Sequence, residues 1–273
     1  MPLNVKAAIQ IQKTLERIKI VDSDAFENLC VSLDGLEEDK QLVLAHIFSR
    51  MYYCELSQYP IKMKSIVSTA CQEIRKRNYK KAYISPVRSK DARQAKSGET
   101  VAYSVRAAGH FEKCMPNFKI EHLNLPIPQR ANNSVLVLLD DYVGSGGSVE
   151  KVLKKDGLDW DLEDVIVCCI ACHSHGFEYL DTLGIEVFAA DLRDRSISDY
   201  PKNDLDKEFA IEVMDWFARE FEVDADKVLG WGACESIDLL MRIPNNCLPF
   251  MWHNSKPSAE QEKTWIAPFA RFY

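Results

Sequence analysis

The sequence predicts an α/β protein: an open, mostly parallel sheet flanked by helices, preceded by a helical N-terminal bundle and followed by an aromatic, irregular C-terminal region. Three observations carry this reading. Residues 135–139, 165–172 and 185–189 are short, predominantly apolar runs separated by short helical stretches. Strands buried on both faces and alternating with helices imply a parallel sheet covered on both sides. Residues 1–78 instead space their apolar side chains at the helical period. Residues 201–273 open with one amphipathic helix and then turn irregular, with Trp231, Trp252 and Trp265 among Pro244, Pro249, Pro257 and Pro268. The expected regions are therefore 1–78, 79–200 and 201–273.

Element by element, Ile9, Ile11, Leu15 and Ile18 begin the helical region. A longer helix over 37–59 carries Leu42, Leu44, Ile47, Phe48, Met51 and Tyr52 on a broad apolar face, and Pro60 breaks it. Met63, Ile66, Val67, Ala70 and Ile74 resume the spacing over 61–77, giving three or four helices in all. The character changes at Tyr79. Residues 82–85 read as a strand, 86–98 as a polar loop, 99–113 as a helix and 120–125 as a strand weakened by Pro126 and Pro128. After the apolar strand at 135–139 come a helix at 149–155, the strand at 165–172 and a helix at 177–183 ended by Gly184. A third buried strand follows at 185–189. Phe209, Ile211, Val213, Met214, Trp216 and Phe217 mark the helix at 207–221.

Composition narrows the function classes. Apolar residues are 47% and charged residues 27%, which excludes disordered and collagenous chains. Lys and Arg number 34 against 41 Asp and Glu, and a net charge of -7 suits the protein poorly to hold a long nucleic acid by itself. No run approaches the roughly 18 apolar residues of a membrane span. The opening MPLNVKAAIQ lacks the features of a signal peptide, so a cytoplasmic location, no membrane partner and reduced thiols for the nine cysteines are expected.

The chemistry concentrates in residues 135–149. A buried strand ends in two adjacent acids, Asp140 and Asp141, and Ser145-Gly146-Gly147-Ser148 follows just before a helix. Ligands of open parallel sheets bind beyond the carboxyl ends of the strands. Glycines let the backbone turn its N–H groups inward, the helix N-terminus adds partial positive charge, and Ser145 and Ser148 add hydroxyl donors. This is a cradle for one phosphate. Alternation sends the two acids to different sides, where either accepts hydrogen bonds from vicinal sugar hydroxyls or holds a metal-bound water. A phosphate site beside a diol site describes a ribose 5-phosphate; the plainer alternative is a glycine-rich turn with solvated acids. A P-loop would need Lys after its last glycine, and a dinucleotide fingerprint a third glycine where Val149 stands.

Asp140-Asp141-Tyr142-Val143-Gly144-Ser145-Gly146-Gly147-Ser148 resembles the phosphoribosyl pyrophosphate (PRPP) loop of type I phosphoribosyltransferases. The resemblance implies that the two acids contact the ribose hydroxyls and that the loop holds the 5-phosphate. It also implies a five-stranded, mostly parallel core with a hood that selects the acceptor. A narrower resemblance is to phosphoribosyltransferase-like effectors of bacterial anti-phage conflict systems, including retrons. It rests on the helical N-terminus, on Lys96-Ser97-Gly98 before a helix, and on the tail. The tail features are Leu229-Gly230-Trp231-Gly232, Pro244-Asn245-Asn246, Leu248-Pro249, Trp252 and the Trp265…Arg271 segment. This implies a toxic effector that alters or depletes nucleotides, with a reverse transcriptase–nucleic acid or other defence-system partner. The expected ligand is PRPP or a nucleotide, and the expected ion Mg²⁺, held indirectly by Asp140 and Asp141. Two alternatives stay open: a nucleosidase or NAD hydrolase using the same cradle, and a non-catalytic nucleotide-sensing subunit.

The candidate residues follow. Asp140, Asp141 and Lys96 are expected to be catalytic. Tyr142, Gly144, Ser145, Gly146, Gly147, Ser148, Arg88, Ser97, Gly98, Asp191 and Arg193 are expected to bind substrate. The loop holding Arg88, Lys90, Arg93 and Lys96 follows the first core strand, where the family's pyrophosphate loop lies, or is simply a solvated basic loop. Asp191, Arg193, Asp194 and Arg195 follow the third apolar strand, either facing an acceptor or metal or forming a charged turn. Cys169 and Cys172 have a zinc-ligand spacing, yet alternation along a buried strand keeps their side chains apart; His173 and His175 belong near the ligand. Arg75-Lys76-Arg77 with Lys80-Lys81 reads as a solvated helix end or a phosphate contact. Glu235, Asn245 and Asn246 are either base contacts, with Trp231 or Trp252 stacking, or tail packing.

Overall fold

The computed structural model describes residues 1–19, 23–88, 97–123, 127–154, 160–200, 206–255 and 264–269. Its helices in chain order are α1 (Val5–Arg17), α2 (Ser23–Leu33), α3 (Glu38–Phe48), α4 (Tyr59–Lys76), α5 (Ser97–Ala108), α6 (His110–Cys114), α7 (Gly147–Lys154), α8 (Ser174–Thr182) and α9 (Lys207–Glu220). The strands are β1 (Tyr52–Tyr53), β2 (Lys81–Pro86), β3 (Lys119–His122), β4 (Ser134–Val143), β5 (Val165–His173), β6 (Glu186–Arg193) and β7 (Asp238–Leu239). The chain divides into two units: Cys54–Arg193, and Met1–Tyr53 together with Asp194–Tyr273.

The α/β unit is built on a five-stranded sheet of order β3-β2-β4-β5-β6 in which every pair is parallel. All five strands thus end at one edge of the sheet. From β2 the chain crosses one way to β3, and from β4 it steps the other way to β5 and β6. Right-handed crossovers then place the intervening helices on opposite faces. α4, α5 and α6 pack together on one face. On the other, Val149 and Leu153 of α7 and Leu180 of α8 bury against Leu136, Leu138, Val167 and Cys169. β4 and β5 are apolar on both faces because both faces are covered.

Several elements differ from expectation. The helix expected over 37–59 ends at Phe48, because Tyr52 and Tyr53 pair in parallel with Asp238 and Leu239, a partner invisible to local spacing. Pro60 lies in the first turn of α4, where its missing N–H costs nothing. The helix expected over 99–113 is split by Gly109 in the left-handed region. β4 runs on past both acids to Val143. β6 is a partly exposed edge strand, not a third buried one. Cys169 and Cys172 come within hydrogen-bond reach of each other and share one core cluster, so alternation does not separate them.

The second unit is described separately. α1, α2, α3 and α9 surround a core containing Ile11, Leu29, Leu33, Leu44, Phe48, Met214 and Phe217, joined by Leu248, Phe250 and Trp265 of the tail. Asn4 caps α1, its side chain accepting from the amides of Lys6 and Ala7. Phe217, Phe221 and Trp265 meet with ring centroids 4.7 to 5.5 Å apart. The boundaries fall at 53/54 and 193/194, where the sequence predicts them near 78 and 200. α4 packs on β5 and β6, and the first helices share one core with the tail. Among the described residues no helix is long and apolar enough to cross a membrane.

Candidate functional site at the switch point of the sheet

The order β3-β2-β4-β5-β6 reverses direction between β2 and β4, and the crevice at such a switch point, beyond the carboxyl ends, is where open α/β sheets bind ligands. Four elements meet there. β2 leads to Val87, whose amide donates to the carbonyl of Leu139 at 2.8 Å. β4 brings Asp140 and Asp141. α5 opens at Ser97, and α7 opens at Gly147. Gly98 is seated against the strands: a Cβ there would lie 2.9 Å from the carbonyl oxygens of both Leu139 and Val87, and 3.1 Å from Asp140 Oδ1. Only a residue without a side chain lets α5 start so close to the two strand ends.

Both acids are buried, Asp140 6% and Asp141 4% exposed. Asp141 Oδ1 accepts from the Ser97 hydroxyl at 2.5 Å, and Oδ2 from the Tyr59 hydroxyl at 3.1 Å. Asp140 Oδ1 accepts from the Asp141 amide at 2.9 Å. Burial pushes the Asp141 carboxyl above its ordinary range, against the opposing pull of the hydrogen bonds from Ser97 and Tyr59. Tyr59 is absent from the sequence-predicted set, because a tyrosine at the head of a helix assigned to another region gives no local signal.

After Val143 the loop turns at Gly144 and Gly146, the latter with φ of 78°, and α7 begins. Val149 and Glu150 donate their amides to the Gly146 carbonyl. Ser145 and Gly147 are half-buried and Ser148 is exposed, so the turn faces solvent. α8 braces it from behind. A Cβ on Gly176 would lie 2.0 Å from the Gly144 carbonyl oxygen, and one on Gly146 2.8 Å from the Tyr179 ring. The Tyr179 hydroxyl also meets the Glu150 carboxylate, which raises the tyrosine; the acid is lowered first by Lys154 and then by this bond. Gly176 and Tyr179 are site-shaping residues that the motif does not contain. A glycine three residues after a strand-ending histidine is the one signal that could have flagged the close approach.

The other predicted residues fall as follows. Lys96, with Lys90, Arg93 and Arg271, lies outside the described residues. Arg88 turns toward the exit of β3, its Nη2 donating to the Leu123 carbonyl at 3.4 Å, with Nε 3.9 Å from Glu99. Asp191 is in register with Ala171, which in turn is in register with Tyr142, so it sits two strands across, about 10 Å away. There it pairs with Lys62 of α4 at 2.5 Å. Arg193 ends β6 in register with His173. His173 is fully buried and caps α8, its Nδ1 accepting from the His175 amide.

The basic run is largely solvated, and several of its residues also hold partners within the protein. Arg77 pairs with Glu73 and Glu186, Lys81 with Glu121, and Arg75 donates to the Cys114 carbonyl. In the tail, the Glu235 carboxylate accepts from the amides of Ile197 and Ser198 and from the Ser198 hydroxyl. The Asn246 amide donates to the Trp231 carbonyl, and the Trp252 ring to the Cys247 carbonyl. These groups perform tail packing. Glu235 is 3% exposed, so Glu235→Ala should strip the acceptor from two backbone amides and the Ser198 hydroxyl and destabilise the protein by about 3 kcal/mol in a denaturant titration. A loss under about 0.5 kcal/mol would contradict that role.

The comparisons can now be set beside this geometry. A solved structure of the AQ2163 protein from Aquifex aeolicus is similar at 13% identity, covering 73% of this chain and 89% of that one, with a TM-score of 0.34. Orotate phosphoribosyltransferase from Aeropyrum pernix is similar at 16% identity, covering 47% of this chain and 70% of that one, with a TM-score of 0.27. No curated protein matches the sequence. The PRTase-CE family model matches residues 33–271, so it takes in the switch-point strands, the glycine-rich turn and most of both units, and the chain belongs to this phosphoribosyltransferase-like family.

Proposed function

We propose that the protein binds a ribose 5-phosphate ligand at the switch point and acts at its anomeric carbon, with PRPP as donor. The observation that carries this is the juxtaposition at one sheet edge of two buried acids with a glycine-rich turn opening a helix. In this reading the amides and hydroxyls of Ser145 to Ser148 take the 5-phosphate, and the α7 N-terminus offsets its charge. Asp140 and Asp141 accept from the ribose hydroxyls and favour the cationic sugar ring that forms as pyrophosphate departs. Arg88 and Lys96 offset the charge on the leaving group, and an acceptor attacks the opposite face.

Among the described residues no three His, Cys, Asp or Glu side chains converge as a metal cluster, and the Asp141 oxygens already hold hydroxyls. Mg²⁺ therefore enters this proposal with the diphosphate, as part of the substrate, and reaches the acids only through water. We propose further that turnover makes the protein a toxic effector of an anti-phage system with a nucleoprotein partner, on the resemblance of its helical start and its Trp- and Pro-rich tail. Support for this second step is limited to the family model taking in α3, α4 and most of the tail along with the sheet.

The test is ³¹P NMR of the full chain with PRPP, Mg²⁺ and a mixture of nucleotides and NAD. Pyrophosphate appearing with a new phosphorus resonance is the expected result, and the new species names the acceptor. Loss of one nucleotide with PRPP intact would replace transfer by glycosidic hydrolysis. Expression in cells adds the toxicity arm: growth arrest by the wild type and not by Asp140→Asn with Asp141→Asn is expected, and equal arrest by both would contradict it.

A further inference from the structure

We propose that Tyr59 and Ser97 hold the site closed by occupying Asp141 as a sugar diol would, and that a ribose ligand enters by displacing them. The inference rests on the ribose-phosphate reading above. Each Asp141 oxygen accepts one hydroxyl, Oδ1 from Ser97 and Oδ2 from Tyr59. A vicinal diol offers the same thing, two O–H donors for the two oxygens of one carboxylate. Asp141 is only 4% exposed, and the two protein hydroxyls stand where the hydroxyls of a diol would bond.

The two donors differ in how firmly they are held. Tyr59 is 1% exposed and heads the 18-residue α4. Ser97 is half-buried and is the first residue of α5, at a helix end where backbone hydrogen bonds are fewest. Ser97 is accordingly the donor that yields first. Displacement trades donor for donor, so the buried carboxylate never loses a partner when the incoming sugar carries both hydroxyls. A 2-deoxy sugar replaces one donor and leaves the buried carboxylate one hydroxyl donor short, which is costly. The closed state therefore selects for an intact diol: the substrate class is ribo, not 2-deoxyribo.

Calorimetric titration of the full chain with ribose 5-phosphate and with 2-deoxyribose 5-phosphate tests this. Removing a competing donor should tighten binding, so Ser97→Ala and Tyr59→Phe each bind ribose 5-phosphate about three- to tenfold tighter than the wild type. The preference for ribose over 2-deoxyribose should narrow in both variants, because the carboxylate of the free protein is then already one hydroxyl donor short. Equal or weaker binding by both variants would overturn displacement and make the two hydroxyls supports of Asp141. Asp141→Asn separates the two layers. Affinity lost there but not gained in Ser97→Ala and Tyr59→Phe overturns the displacement alone. Affinity unchanged in Asp141→Asn, or no binding heat from any of the four proteins, overturns the ribose reading itself.

Discussion

Asp140→Asn with Asp141→Asn lowers affinity for a ribose 5-phosphate ligand at least about 100-fold and at the same time raises the melting temperature at pH 7. The first effect follows from charge. Two hydrogen bonds from sugar hydroxyls to ionised carboxylates are each worth about 1.5–3 kcal/mol, and the neutral amide loses that advantage. The second follows from burial, which raises the Asp141 carboxyl above its ordinary 3.8. Between 3.8 and the raised value the native protein holds a proton that the unfolded chain has released. Stability therefore falls as the pH rises through that window, and below 3.8 the penalty is absent. Asparagine is neutral throughout and keeps one acceptor, while the Ser97 and Tyr59 hydroxyls can each accept as well as donate. The double variant should melt about 2–4 °C higher at pH 7, and the gain should vanish below about pH 4. Melting curves across pH, paired with the ligand titration, check both halves. A variant that melts lower at pH 7 while losing the ligand would contradict the burial argument.

Gly176→Ala is the second large effect. Its Cβ would meet the Gly144 carbonyl oxygen at 2.0 Å, the Gly144 carbonyl carbon at 2.9 Å and Val143 Cγ1 at 3.1 Å. Two of these are backbone atoms that cannot rotate away, so either the first turn of α8 or the phosphate turn must move. The amides of Ser145 to Ser148, which we propose hold the phosphate, then shift. Expected are a loss of phosphate affinity of about 30-fold and a destabilisation of about 2–4 kcal/mol, measured by calorimetry and denaturant titration. Gly184→Ala supplies the comparison. Gly184 has φ of 76° but only the Glu163 side chain within 4 Å, so its substitution strains the backbone by about 1–2 kcal/mol without touching the turn. Equal phosphate affinity in Gly176→Ala and wild type would show that α8 does not shape the cradle.

How much of this was legible in the sequence depends on whether the cause was local. The apolar runs at 135–139 and 165–172 announce a buried parallel strand because both faces are covered, and β4 and β5 follow. Asp140-Asp141 and the Ser-Gly-Gly-Ser turn announce themselves because strand end, glycines and helix start are contiguous. What spacing does not carry is partnership across the chain. Tyr52 and Tyr53 continue an apolar helical face until Asp238 and Leu239 offer a strand partner 186 residues on. Tyr59 reaches Asp141 across 82 residues, and Gly176 touches Gly144 through a crossover. Glu235, beside aromatic residues, suggests a base contact until its three donors at 197 and 198 are seen. Asp191 and Arg193 lie at the carboxyl end of β6, which puts them two strands from the acids.

The central claim is that the turn from Gly144 to Ser148 receives the phosphate of a ribose 5-phosphate. Amide NMR of the full chain during addition of ribose 5-phosphate tests it most directly, with inorganic phosphate and ribose titrated separately. The account predicts saturable shifts of the Ser145, Gly146, Gly147 and Ser148 amides, reached at lower concentration with ribose 5-phosphate than with inorganic phosphate and not produced by ribose. Shifts confined to other amides, or none at all at saturating ligand, would contradict it.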